Sequence, residues 1–106
     1  LSKKDTAITI DEIKRVLKRG GYCLVDFMSV EASFCNEEEM GELVGDHEYF
    51  LSGREEDYFH SFFRDSEPDI YFSKMDIVRK DKVIIEHRAH QPPYTDVRLY
   101  YYVQKP

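Results

Sequence analysis

Strict alternation near the C-terminus is the feature that most constrains this fold. Over residues 95–104 two sets of side chains alternate: Val97, Leu99, Tyr101 and Val103 against Arg98, Tyr100, Tyr102 and Gln104. A period of two is typical of a β-strand buried on one face. Two earlier strands are predicted at 69–79 and 82–90, with turns at Lys80-Asp81 and at Gln91-Pro92-Pro93-Tyr94. Such short connections predict a three-stranded antiparallel meander.

The N-terminal part predicts one helix and one strand. Residues 1–7 show no periodicity and are expected to be a flexible lead-in. A capping box at Thr9 and Glu12, followed by apolar residues at helical spacing, predicts a helix that stops at Gly20-Gly21. Residues 22–30 predict a strand largely buried on both sides. Asp26 is its one charged residue, which we interpret as an edge or hydrogen-bonded carboxylate.

Two further helices are predicted in the centre of the chain. Asn36 and Glu39 have capping-box spacing, and Gly45 ends that segment. Ser52 and Glu55 begin the next segment, which Pro68 closes. It carries an aromatic stripe, made of Tyr58, Phe59, Phe62 and Phe63. We expect this stripe to face the core, and an exposed stripe would instead mark a partner-binding surface.

These elements together predict an α+β fold. About three helices would pack on one face of a four-stranded, mainly antiparallel sheet that ends in the three-strand meander. A chain of 106 residues has room for one domain, which we place at residues 8–106.

Negative charge is concentrated in the middle of the chain. Residues 31–69 hold thirteen acidic and two basic residues, a net charge of −11, whereas the remainder has thirteen basic and eight acidic residues, a net charge of +5. An acidic face attracts basic partners and accelerates their association. The predicted partner-binding residues are Glu37, Glu38, Glu39, Glu42, Asp46, Glu48, Glu55, Glu56 and Asp57.

This pattern favours a small, non-catalytic interaction protein. Lys/Arg-lined grooves belong mostly to nucleic-acid-binding proteins, so an acidic surface can occupy such a groove as a nucleic-acid mimic and inhibitor. Solvated surface charge that only maintains solubility is the alternative. Direct nucleic-acid binding is not expected. Arg98, Tyr100 and Tyr102 share one face of their strand, and cross-strand Tyr/Arg pairing on an outer sheet face accounts for these residues.

Two other functions are carried as alternatives. Glu86 and His90 could form the acid/base pair of a small hydrolase-like enzyme, with His60 or Asp26 brought in by the fold. No nucleophile, phosphate-loop or zinc-protease motif accompanies them. An unpaired edge strand could instead make the chain a homodimer or larger homo-oligomer.

The two cysteines and the hydropathy of the chain indicate the expected cellular location and cofactor content. Cys23 and Cys35 lack metal-site spacing and are expected to be reduced, so we expect no cofactor, no bound metal and a cytoplasmic location. No apolar run approaches the ~18 residues of a membrane span, and no membrane association is expected. A small acidic protein without enzyme motifs would suit a mobile genetic element that silences a host protein, which we hold as a hypothesis of origin.

Overall fold

Two α-helices, a 3₁₀ helix and six strands are described by the computed structural model, which covers residues 1–53 and 57–106. The predicted α+β class is confirmed. In chain order the elements are α1 (Lys3–Val16), β1 (Tyr22–Ser29), α2 (Glu37–Met40), β2 (Glu42–Gly45), β3 (Glu48–Ser52), β4 (Asp57–Phe63), the 3₁₀ helix (Glu67–Phe72), β5 (Asp76–His87) and β6 (Tyr94–Gln104).

One mixed sheet contains all six strands, in the order β2-β3-β4-β1-β6-β5. The prediction of four strands is therefore wrong. Strands β1 and β4 are parallel, with Met28 opposite Phe62 and Ser29 opposite Phe63, and every other neighbouring pair is antiparallel. The additional strands lie in the centre of the chain: β2 and β4 replace segments predicted as helices, and β3 lies between those segments.

Helix α1 starts earlier than its sequence suggests. Ser2 is the N-cap, and its Oγ accepts a hydrogen bond from the Asp5 N–H at 3.1 Å. Residues 3–7 therefore form the first turns of a helix rather than a lead-in. Thr9 and Glu12 lie inside α1, because Ser2 offers a good cap earlier, with Asp5 where the helix dipole favours an acid.

The second predicted helix is confirmed at its start and wrong at its end. The Asn36 side chain caps α2 by accepting a hydrogen bond from the Glu39 N–H at 2.9 Å. The helix ends at Met40 because Gly41 has a φ of +98°, which residues with a side chain rarely adopt. A Cβ on Gly41 would also clash with the Phe50 carbonyl oxygen. The chain passes close to β3 here and continues as the short edge strand β2.

The aromatic segment predicted as a third helix is strand β4. Its spacing suits a helix, but aromatic residues also favour strands. Neighbouring side chains of a strand point to opposite faces, and Phe62 and Phe63 are both buried, at 0% and 3% exposure. Tyr58 and Phe59, nearer the start of β4, are 44% and 41% exposed. The aromatic stripe is therefore core at one end and surface at the other.

The predicted meander is a two-stranded hairpin. Lys80 and Asp81, expected to form a turn, lie within β5 opposite Tyr101 and Tyr100 of β6. This pair contains no Gly, Pro or Asn to stabilise a turn, so the strand continues. The start of the predicted first strand is the 3₁₀ helix, with Pro68 in its first turn. The predicted turn between the last two strands is confirmed, since residues 88–93 connect β5 to β6.

Two hydrophobic clusters pack on opposite faces of the sheet. The larger contains Ile10, Phe27, Phe63, Phe72, Leu99, Tyr101 and Val103. The smaller contains Ala32, Tyr49 and Phe62, with Phe34 and Met40 partly buried against it. Because α1 and the 3₁₀ helix contribute to the first cluster and α2 to the second, the prediction that all helices share one face is wrong.

Strand β1 is buried mainly on one face, contrary to the prediction that both faces are largely buried, and Met28 is the residue of the other face that packs against the smaller cluster. Cys23 and Val25 pack against the larger cluster, whereas Tyr22 and Leu24 on the other face are 69% and 55% exposed. Asp26 shares that open face and is exposed. The open face continues onto β6, where Tyr102 lies opposite Leu24.

Candidate functional site

Three carboxylates of the acidic segment, residues 31–69, bind basic groups or backbone inside the molecule, and two of them bind Lys3 at the start of α1. Asp46 accepts hydrogen bonds from the two terminal nitrogens of Arg64 at 2.7 and 2.8 Å. Glu48 accepts a hydrogen bond from the backbone N–H of Lys3 at 2.5 Å, and Glu67 accepts one from Lys3 Nζ at 2.8 Å. These contacts hold the N-terminus of α1 against β3 and against the residues that follow β4. Asp46 and Glu48, both predicted to bind a partner, therefore already have partners within the molecule.

Asp46 is the most perturbed of these acids. The hydrogen bonds from Arg64 hold the pKa of Asp46 well below its ordinary value, and the nearby charge of Lys3 and a 3.1 Å contact with His47 Nδ1 lower it further. Burial acts in the opposite direction but is outweighed. A partner that used this carboxylate would have to displace Arg64.

Lysines of β5 neutralise a second group of acids. Lys80 Nζ lies 3.1 Å from Asp69, and Lys82 Nζ lies 3.2 Å from Asp65. Lys82 also forms an ion pair with Glu31. Basic residues from outside the acidic segment therefore compensate part of its charge.

Asp69 is also bound by a buried tyrosine. The Tyr101 hydroxyl, on a side chain with 2% exposure, donates a hydrogen bond to Asp69 Oδ1 at 2.5 Å. Burial raises the pKa of Tyr101, and the neighbouring carboxylate raises it further. The pKa of Asp69 is lowered: burial opposes its ionisation, but the hydrogen bonds from Tyr101 and Lys80 outweigh burial. The Tyr101 hydroxyl and the Asp69 carboxylate therefore bind each other inside the protein, and Lys80 is a second partner of the carboxylate.

Four predicted partner-binding carboxylates are exposed and form no ion pair within the described ranges. They are Glu37, Glu38 and Glu39 of α2 and Glu42 of β2, and we call them the acidic corner. Beside them on β2, Leu43 and Val44 are 48% and 50% exposed. The corner therefore combines uncompensated negative charge with apolar surface at one edge of the sheet.

Three predicted binding residues remain. The Asp57 carboxylate, at the start of β4, accepts a hydrogen bond from Ser52 Oγ at 3.0 Å. Glu55 and Glu56 fall outside the described residues. Among the described residues, the predicted acidic surface is therefore split between carboxylates with internal partners and the acidic corner.

The structure does not assemble the residues of the hydrolase alternative. Glu86 accepts hydrogen bonds from Arg88 at 2.8 and 2.5 Å, and His90 Nδ1 lies 2.7 Å from the Pro92 carbonyl oxygen. Across the strands described, Asp26 pairs with Arg98 of β6 and His60 lies opposite Tyr49 of β3. Burial lowers the pKa of His60. Within the described ranges, none of these four candidates is hydrogen-bonded to another.

Basic and aromatic side chains of the β5–β6 hairpin are divided between its two faces. The guanidinium of Arg79 lies 5.4 Å from the centre of the Tyr102 ring on the open face. Arg98, on the same face, bonds to Asp96 and Asp26. Lys80 and Lys82 are on the opposite face, beside acids of the central segment. This division fits cross-strand pairing, as the sequence suggested.

Residues 1–53 and 57–106 contain neither a metal-binding cluster nor a membrane-spanning helix. No group of three or more His, Cys, Asp or Glu there could hold a metal ion. No helix there has the length and apolar character to cross a membrane. Cys23 and Cys35 are free thiols, and burial raises the pKa of Cys35, whose Sγ lies 3.9 Å from the Tyr49 hydroxyl.

Compared with known proteins, the chain matches no protein-family model and has no significant match among curated proteins. The candidate site therefore depends on the geometry alone. Sequence reasoning missed the apolar part of the acidic corner, because Leu43 and Val44 were assigned to a helix. The hairpin turn is Asp46-His47, between the short apolar runs 43–44 and 49–51. Asp is a common turn residue, and its position between these runs is the signal that could have revealed β2 and β3.

Proposed function

We propose that this chain is a small, non-catalytic interaction protein that binds a basic surface of a partner protein through the acidic corner. One observation carries the proposal. Within the described ranges, Asp46, Asp65 and Asp69 have ion-pair partners, whereas the exposed carboxylates of α2 and β2 have none. Uncompensated carboxylates can meet a partner's Lys or Arg without first breaking a bond inside this protein.

Several features suit the corner to binding. The Asn36 cap fixes the start of α2, so Glu37 to Glu39 are presented from an ordered turn. Exposed apolar side chains on β2 add surface whose burial would contribute affinity. Strand β2 also lies at the edge of the sheet, where backbone groups are open to a partner.

In its most specific form, the proposal is that the corner occupies the nucleic-acid groove of a nucleic-acid-binding protein. Closely spaced carboxylates would lie where the groove normally holds phosphates, and the protein would act as a competitive inhibitor. Such binding must weaken as salt rises, because screening acts on both sets of charges. The partner should then release nucleic acid when this protein binds.

The first experiment identifies the partner. The chain is immobilised and used to capture proteins from lysate of its native host at low and at raised salt, followed by mass spectrometry. We expect one basic protein that is lost as salt rises and is displaced by added DNA or RNA. Retention that is independent of salt would contradict the charge-led mechanism, and retention in the presence of nucleic acid would contradict groove occupancy.

The second experiment uses matched variants against that partner. Glu37→Gln, Glu38→Gln and Glu39→Gln together remove three carboxylates from the corner. Asp5→Asn, Asp11→Asn and Glu12→Gln together remove three from α1, so the net charge of the two variants is equal. We expect the corner variant to lose at least about tenfold in affinity and the α1 variant to bind nearly as the parent does. Equal losses would mean that only total charge matters and would reject the corner.

A further inference from the structure

Strand β5 is a long edge strand with apolar residues exposed in its second half. It runs from Asp76 to His87 and forms the edge of the sheet opposite β2. Ile84 is 61% exposed and Ile85 is 43% exposed. Natural edge strands are usually protected by charges or bulges. Here the irregularity between Ile77 and Arg79 lies in the first half, whereas the second half has no irregularity and its apolar stretch 83–85 is flanked only by Lys82 and Glu86.

The second half of β5 has a sequence that is complementary to itself around Ile84. When two copies of an antiparallel strand pair about one residue, side chains equally distant from it on either side face each other. The opposing pairs are Val83 with Ile85, Lys82 with Glu86, and Asp81 with His87. Apolar residues would meet apolar residues, and Lys82 would meet a residue of opposite charge. Such cross-strand pairs are the units that stabilise a sheet.

We propose that two copies of this chain associate through antiparallel pairing of their β5 strands, with the two-fold axis at Ile84. The pairing would join two six-stranded sheets into one continuous sheet. Centring on Val83 would place Lys82 opposite Ile84 and Asp81 opposite Ile85, and centring on Ile85 would place Glu86 opposite Ile84. Both neighbouring registers are disfavoured because they set charged side chains against apolar ones. The register at Ile84 also keeps corresponding side chains on matching faces of the joined sheet.

This inference is independent of the acidic corner, which lies at the opposite edge of the sheet. Dimerisation would therefore leave the corner of each copy free to bind. The Glu37→Gln, Glu38→Gln and Glu39→Gln variant should dimerise as the parent does, so the two proposals can fail separately.

Sedimentation equilibrium over a range of protein concentrations tests the dimer. We expect the parent chain to form dimers and Glu86→Lys, which opposes two lysines twice in each dimer, to weaken association at least about tenfold. Glu86→Gln, which removes the charge without opposing two lysines, should weaken association less than Glu86→Lys does. Lys82 is left unchanged because it also pairs with Asp65 and Glu31 inside the molecule. A parent that stays monomeric throughout, or a dimer that Glu86→Lys leaves unchanged, would overturn the proposal.

Two substitutions on the same strand separate the register from general surface effects. Ile84→Lys places charges at the axis and should abolish the dimer, whereas Val78→Lys, at a site 58% exposed but outside the paired segment, should not. In a parallel experiment, mild oxidation of Ile84→Cys should give a cross-linked dimer, and Val78→Cys and the parent chain should not. Circular dichroism establishes that each variant is folded. Equal behaviour of the Ile84 and Val78 variants would reject the register.

Discussion

Arg64 and Asp46 are joined by two hydrogen bonds of 2.7 and 2.8 Å, which connect the residues after β4 to the turn between β2 and β3. Two-pronged contacts of this kind are among the stronger charged hydrogen bonds in proteins. Arg64 is one of only two basic residues in the acidic segment. Its position shows that part of the acidic composition serves the fold.

The Asp46 carboxylate should make stability depend on pH. Its pKa in the folded protein is lowered from an ordinary value of 3.8, so its contribution is present above that value and disappears as pH falls toward the lowered pKa. In thermal unfolding, the Tm of the parent should exceed the Tm of Asp46→Asn at neutral pH. This gap between the two Tm values should close in strong acid. The gap should be small because solvent and salt screen an exposed pair. A gap that persists in strong acid would contradict this assignment, and Glu38→Gln serves as the unpaired control.

The start of α1 can be tested at two candidate caps. Ser2→Ala should lower the free energy of unfolding by about 1 kcal/mol, because it removes the hydrogen bond to the Asp5 N–H. Thr9→Ala should have little effect, since Thr9 lies inside the helix. Urea unfolding measures both, and Ser2→Asp should retain most of the stability. A larger loss at Thr9 than at Ser2 would place the helix start where the capping box first suggested it.

Features encoded locally were predictable from the sequence. Asn36 caps α2 as its spacing to Glu39 indicated, because an N-cap involves neighbours along the chain. The alternation in β6 correctly identified its buried face, including Val97 and Val103 at 2% and 1% exposure. In both cases the pattern lies among residues only a few positions apart in the sequence.

Features that depend on distant partners were not predictable. Spacing alone could not show that Glu67 binds Lys3 or that Asp69 binds Lys80, because these contacts form only when remote segments meet. The central acids therefore looked like one continuous binding surface. The aromatic segment had a comparable ambiguity, because its spacing fits a helix while its residue types favour a strand. Pairing of β4 with β3 and β1 decided in favour of the strand.

Because the aromatic segment is the strand β4, replacing its different aromatic residues by alanine should lower the free energy of unfolding by unequal amounts. Phe62 is fully buried. The centre of its ring lies 5.7 Å from the centre of the Tyr49 ring and 5.9 Å from that of the Phe34 ring. Phe62→Ala should lower the free energy of unfolding by about 3–5 kcal/mol, because it leaves a cavity in the core. Phe59→Ala, at a position 41% exposed, should cost clearly less. Urea unfolding that finds equal losses would support a stripe buried along its whole length.

The hydrogen bond from Tyr101 to Asp69 should contribute measurably to stability, because its donor is buried and its acceptor is charged. Tyr101→Phe keeps the ring that stacks on Phe72 at 5.2 Å but removes the hydroxyl. We expect a loss of about 1.5–3 kcal/mol in urea unfolding, and a smaller loss for Tyr102→Phe on the open face. A double-mutant cycle with Asp69→Asn isolates the pair, and a coupling energy near zero would mean that Lys80 alone satisfies the carboxylate.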